Sequence, residues 1–85
     1  MIMKGRRIYP NEAGEMWFAE GDYGKGPDGV WRARPFGASL GSLEAHEVKE
    51  HEDGTITVSP SVLISQGAGL PEWHGYLEGG VWRQA

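Results

Sequence analysis

The apolar positions of this chain fall into short runs, broken every ~10–15 residues by Gly, Pro or Asp, a spacing that predicts strands rather than helices. The clearest stretch is Val48-Lys-Glu-His-Glu-Asp-Gly-Thr-Ile-Thr-Val58, where Asp53-Gly54 marks a hairpin. Two registers compete for it. A two-residue loop at Asp53-Gly54 pairs Glu52 with Thr55 and sets Lys49 opposite Val58. A three-residue loop, Glu52-Asp53-Gly54, pairs Val48 with Val58 and Glu50 with Ile56. The second is preferred, because it sets β-branched side chains opposite each other and puts Gly54 at the left-handed position. Pro60 cannot donate to a ladder, so it marks a break, bulge or edge. Ser61-Val-Leu-Ile-Ser65 resumes a strand whose continuous apolar run predicts burial on both faces.

A second hairpin runs from Trp73 to Arg83 around Gly79-Gly80. Leu77 then faces Trp82 on an apolar side with Trp73 and Gly75. Tyr76 faces Arg83 on a polar side with His74 and Glu78. Glu15–Glu20 and Val30–Arg34 read as two further strands, the second ended by Pro35. Gly21–Gly29 reads as a surface loop with a Pro27-Asp28-Gly29 turn. Ser42–Glu47 gives Leu43 and Ala45 no common helical face, so it reads as a short turn. Residues 1–14 carry no such signal and read as a loosely ordered N-terminal arm of the single domain 1–85.

The expected fold is therefore all-β: a small antiparallel meander of about six short strands, curled into a sandwich or open barrel. Its expected core is Trp17, Trp31, Val48, Ile56, Val58, Val62, Ile64, Leu77 and Trp82. Composition leaves little margin for it. Leu, Ile, Val and Phe supply only 16 of 85 residues, at the edge of what a folded chain needs. Four Trp and three Tyr compensate, since each buried ring removes about 150–250 Å² from water.

The absence of Cys removes disulfides, Cys-ligated zinc and a thiol nucleophile together. Charge is uneven: residues 1–36 carry six basic and five acidic side chains, residues 37–85 two and seven. No broad basic face emerges, which argues against a nucleic-acid partner. No stretch approaches the ~18 apolar residues of a membrane span, and no apolar leader follows Met1–Arg7. The expectation is a cytoplasmic protein with no membrane partner.

Candidate chemistry is sparse. His46 and His74 with a carboxylate could hold a metal, but His46 and His51 are five apart and point to opposite faces of a strand. Gly37-Ala-Ser-Leu-Gly41 matches a nucleophile-elbow spacing at Ser39, without the α/β sheet that holds such an elbow. The Gly21–Gly26 segment, with Lys25, lacks the helix start a phosphate cradle needs. Glu50 and Glu52 share a strand face on an exposed hairpin. Trp31 beside Arg32 and Arg34 offers a ring and two cations for an anionic or nucleotide ligand. The polar side of the last hairpin, His74, Tyr76, Glu78 and Arg83, is the other candidate binding surface. No cofactor is implied.

The stretch Glu52-Asp-Gly-Thr-Ile-Thr-Val-Ser-Pro-Ser-Val-Leu-Ile64, followed by Trp73-His-Gly-Tyr-Leu-Glu-Gly-Gly-Val-Trp82, resembles a family of short proteins of tailed phages and prophages. Met16-Trp17-Phe18 and the segment Pro35 to His51 extend the resemblance over most of residues 15–83. Longer members carry Cys near the Pro35 region and a Cys-His pair where this chain has Trp73-His74, which implies a metal site there. Only His74 carries over. The resemblance implies phage or prophage origin, hence the cytoplasm of a bacterial host, and no particular activity.

Three functions follow as expectations. The first is a small accessory protein acting as a non-enzymatic binding module, docking on a host or phage protein. The second is a small-ligand or nucleotide-binding homo-oligomer using Trp31, Arg32 and Arg34. The third is a metal-dependent hydrolase built on His46, His74 and a carboxylate.

Overall fold

A computed structural model describes residues 2–67 and 69–85. Among them are ten short strands and no helix, so none is long and apolar enough to cross a membrane. The strands are β1 (Ile2–Lys4), β2 (Arg6–Arg7), β3 (Asp22–Lys25), β4 (Trp31–Ala33), β5 (Gly41–Ser42), β6 (Glu47–Glu50), β7 (Ile56–Ser59), β8 (Val62–Ile64), β9 (Trp73–Glu78) and β10 (Val81–Gln84). They form three small sheets, ordered β1-β10-β9-β8, β2-β3-β4-β5 and β6-β7, with no closed barrel. One core lies between them. It is built from Tyr23, Ala33, Leu43, Ile56, Val58, Val62, Ile64, Trp73, Leu77 and Trp82, with Ala38 at its margin.

Both hairpins form as the residues dictate. β9 alternates buried Trp73, Gly75 and Leu77 with outward His74, Tyr76 and Glu78. It pairs with β10 through Leu77–Trp82 and Tyr76–Arg83. The two-residue loop needs positive φ twice, and Gly79 (+55°) and Gly80 (+78°) supply it. The loop is tied to β7, where Gly80 N–H donates to Ile56 O at 3.0 Å. In the other hairpin Val48 faces Val58 and Glu50 faces Ile56, the register of the three-residue loop. Pro60 separates β7 from β8, which belong to different sheets.

The first forty residues depart from expectation. The architecture is not one meander: β1 pairs with β10, and β2 runs parallel to β3. Ile2–Lys4 and Arg6–Arg7 are strands rather than a loose arm. Glu15–Glu20 is no strand, and Trp17 is 70% exposed rather than core. Its neighbours are held by side chains instead of a ladder. Asn11 Oδ1 accepts the N–H groups of Ala13 and Glu15, and Arg34 donates to Phe18 O. The supposed loop at Gly21–Gly29 contains β3, with Tyr23 in the core. Its glycines serve close packing: a Cβ at Gly24 would stand 2.6 Å from Ile8 O. The turn at Pro27-Asp28-Gly29 does form, and so does the one after Ser42. β8 buries Val62 and Ile64 but leaves Leu63 54% exposed, because β8 is a sheet edge with one covered face. Trp31 and Val48 pack against the core from its margin.

Trp82 crosses from one sheet to another. Its ring meets Trp73 edge-on at 5.6 Å, and its Nε1–H donates to Gly21 O at 2.9 Å. Trp82→Ala is expected to cost about 3–5 kcal/mol, and Trp82→Phe about 1–3 kcal/mol for the lost N–H and ring volume, read from urea unfolding followed by circular dichroism. An unchanged midpoint for Trp82→Ala contradicts this packing.

Asp53 holds the β6–β7 turn. Thr55 donates to it from its hydroxyl at 2.7 Å and its N–H at 3.0 Å, keeping the carboxyl below its usual range. A depressed folded value means the stabilisation is whole above the unfolded value of about 3.9 and is lost as pH falls through the folded one. Asp53→Asn keeps an acceptor and loses the titration. Its Tm is therefore expected to fall less than that of the wild type between about pH 5 and pH 2. Parallel acid profiles contradict the assignment.

Candidate functional site

The register of the sheet β1-β10-β9-β8 decides which side chains share its outer face. Tyr76 stands opposite Arg83, and Arg83 opposite Ile2. The next row is Glu78, Val81 and Lys4, and Leu63 stands opposite His74 at the other edge. The sequence-predicted group His74, Tyr76, Glu78 and Arg83 is thus brought together. The Arg83 guanidinium lies 4.3 Å above the Tyr76 ring, and its Nη2 donates to Glu78 Oε1 at 3.2 Å. His74 lies 6.0 Å from Tyr76 between ring centres, with Nε2 3.1 Å from Ser61 Oγ.

Four members of this face, Ile2, Lys4, Leu63 and Val81, were missed by sequence reasoning. Ile2 is 68% exposed here, beside Lys4, and Leu63 completes the opposite edge. Leu63 had none, since a continuous apolar run reads alike whether one face of its strand is covered or both. Ile2 had none, because its place depends on pairing with a strand some eighty residues away.

Trp31, Arg32 and Arg34 do not form a common surface. Trp31 and Arg32 are neighbours on β4 and point to opposite faces. Trp31 stacks on Arg7, whose guanidinium lies 4.7 Å from its ring and 4.5 Å from that of Tyr9. Arg32 pairs with Asp28 at 2.9 Å, and this bond holds the Asp28 carboxyl below its usual range. Arg34 donates to Ala38 O and Phe18 O, both at 3.1 Å. The three therefore fasten loops, and a nucleotide site at them would have to break those bonds.

His46 lies in the turn between β5 and β6 beside Leu43 and Trp31, while His74 lies on the outer sheet face. The buried Nδ1 of His46 has no partner among the described residues. His51 Nε2 stands 2.7 Å from Thr57 Oγ1. Among the described residues no three His, Asp or Glu side chains gather in one place, so His46 and His74 do not build a metal centre with a carboxylate. Ser39 is exposed and bonds Gln66 Oε1 through its N–H at 3.1 Å and its hydroxyl at 3.4 Å. Glu50 pairs with Arg7 at 2.9 Å, and Glu52 is exposed in the turn. Ser61 and His74 are near enough for a nucleophile–base pair. His74 lies exposed on an open sheet and Ser61 half-buried just before β8, with no side chain among the described residues bonding the other His74 nitrogen to orient it.

Compared with protein-family models, with curated proteins and with solved structures, the chain matches none.

On the outer face a guanidinium stacked over a phenol ring offers oriented donors, flanked by apolar side chains and open to solvent. Arg34 and Arg83 should accordingly behave differently. Arg34→Ala leaves two backbone carbonyls without their donor and is expected to cost about 1–3 kcal/mol. Arg83→Ala removes an exposed pair and is expected to cost under about 1 kcal/mol. Thermal melts of the two variants check this order, and equal losses contradict it.

Proposed function

We propose that this chain is a non-enzymatic binding module: a small accessory protein of phage or prophage type, acting in the cytoplasm of a bacterial host. It docks on a host or phage protein through the outer face of the sheet β1-β10-β9-β8. The observation that carries this reading is the make-up of that face. The solvent side of an antiparallel sheet is ordinarily polar. Here Ile2 and Leu63 stand exposed at its two edges, with Tyr76 and Arg83 between them.

Tyr and Arg are the side chains that anchor protein interfaces, and their prior stacking reduces the ordering that docking requires. Lys4 and Arg83 flank Ile2, and the Arg83 side chain is half exposed beside Glu78. The partner that fits is a protein surface with an apolar patch bordered by carboxylates. The phage resemblance of the two hairpins supports the cellular setting.

Affinity capture from bacterial lysate, with the untagged face free, tests this. Wild-type protein is expected to retain a defined partner. Leu63→Lys and Arg83→Glu should each lower its yield at least tenfold while melting within a few degrees of wild type. Capture of nothing specific, or capture by both variants at the wild-type yield, overturns the docking face.

A further inference from the structure

The inner side of the same sheet holds a second feature, independent of the docking face. A cavity of about 240 Å³ lies between Met3, Trp73, Trp82 and Gln84 on the sheet and Phe36 and Gly37 on the segment after β4. Its floor is the right-angled corner of two indoles, Trp73 and Trp82, with planes at 86°. Both are buried, whereas Met3, Gly37 and Gln84 at the mouth are exposed. Gly75 lets the Trp73 ring fold over the strand, since a Cβ there would stand 2.4 Å from that ring.

The lining determines what fits. It offers aromatic edges and faces, a thioether and one amide, and no charge. An added ring packs edge-to-face on such walls and gains from the sulfur. An ionised ligand would lose its hydration for no partner. Trp82 Nε1–H is already committed to Gly21 O, so the polar group left for a ligand is the Gln84 amide. Gln84 makes no side-chain hydrogen bond among the described residues. Size limits the ligand further. An apolar cavity of about 150 Å³ is enough for benzene, and drug-sized ligands occupy about 300–1,000 Å³. This one takes a single ring with a short substituent.

We infer that the Met3–Phe36–Trp73–Trp82–Gln84 cavity is a binding site for a neutral aromatic ring bearing a hydrogen-bond donor, the phenol class. Gln84 Oε1 accepts from the hydroxyl at the mouth. The ring can be that of a free phenol or of a tyrosine side chain in another protein, and the probes below separate these sources.

The test is an NMR titration of the full-length protein with p-cresol, toluene, methylcyclohexane and N-acetyl-tyrosinamide, following the Trp73 and Trp82 indole and Gly37 amide signals. Saturable shifts are expected with p-cresol in the millimolar range, several-fold weaker binding with toluene, and at least tenfold weaker with methylcyclohexane. Gln84→Leu should bring p-cresol down to the level of toluene. Met3→Phe should fill the cavity and abolish the shifts without lowering Tm. N-acetyl-tyrosinamide binding at least as tightly as p-cresol assigns the ring to a protein side chain, and binding of p-cresol alone assigns it to a free molecule. No saturable shift with either ring, equal binding of methylcyclohexane and toluene, or undiminished p-cresol binding in Met3→Phe overturns the site. Leu63→Lys and Arg83→Glu alter only the opposite face and should leave the p-cresol shifts unchanged, so failure of the docking face and failure of this cavity are told apart.

Discussion

The hydrogen bond from Trp82 Nε1–H to Gly21 O is the point on which the two larger sheets depend. Gly21 O also accepts the N–H of Arg6 at 3.1 Å, so one carbonyl joins β10 and the start of β2 at the entry to β3. The crossing is close: a Cβ at Gly5 would stand 2.7 Å from Gly21 O and 2.8 Å from Trp82 Nε1. Gly5 is where the chain leaves β1 in one sheet and enters β2 in the other, and its own N–H donates to Gly80 O at 2.8 Å. A core this small gains little from volume alone. A large ring that packs on Trp73 and also satisfies a buried carbonyl gives the sheets a unique relative placement as well as burial.

The third sheet packs Ile56 and Val58 into the shared core and is fastened to the second sheet by charge as well. Arg7 lies between the Tyr9 and Trp31 rings, and its Nη1 donates to Glu50 Oε2 at 2.9 Å and to Gly54 O at 2.8 Å. One guanidinium thus joins β2, β4 and the β6–β7 turn. Its buried Nε has no partner among the described residues, a cost that two aromatic faces and two hydrogen bonds offset. Arg6, the preceding residue, points the other way and grips buried Asp22 with two bonds of 3.1 and 2.9 Å, while Asp22 also accepts Ala19 N–H. Successive arginines on one strand therefore serve two faces, as strand alternation requires. Each is paired with a carboxylate, Arg6 with Asp22 and Arg7 with Glu50.

The parts of the fold legible in the sequence are those whose geometry is local. Asp53-Gly54 and Gly79-Gly80 determine their loops, and alternation then sets Val48 on Val58 and Leu77 on Trp82. Four of the outer-face residues lie on one such hairpin, so they could be grouped without any knowledge of the fold. What was not legible rests on distant partners. β3 looks like a loop because its glycines resemble turn residues, yet Gly24 is needed where Ile8 O comes close. Met16-Trp17-Phe18 looks like a strand because it is aromatic, yet it pairs with no ladder and its Phe18 carbonyl is held by the side chain of Arg34, just after β4. Arg32 and Arg34 look like ligands for an anion because spacing cannot show that Asp28 and two carbonyls already occupy them.

The same one-sidedness explains why this chain has surfaces to offer. Its apolar residues suffice to cover one face of the four-stranded sheet, where Trp73, Leu77 and Trp82 meet Val62 and Ile64. The other face has nothing laid over it among the described residues, yet it carries Ile2 and Leu63, where solvation alone would favour polar side chains. Exposed apolar side chains at both edges and an arginine already stacked between them form a consistent set. Each has a physical role if the face is covered by another molecule.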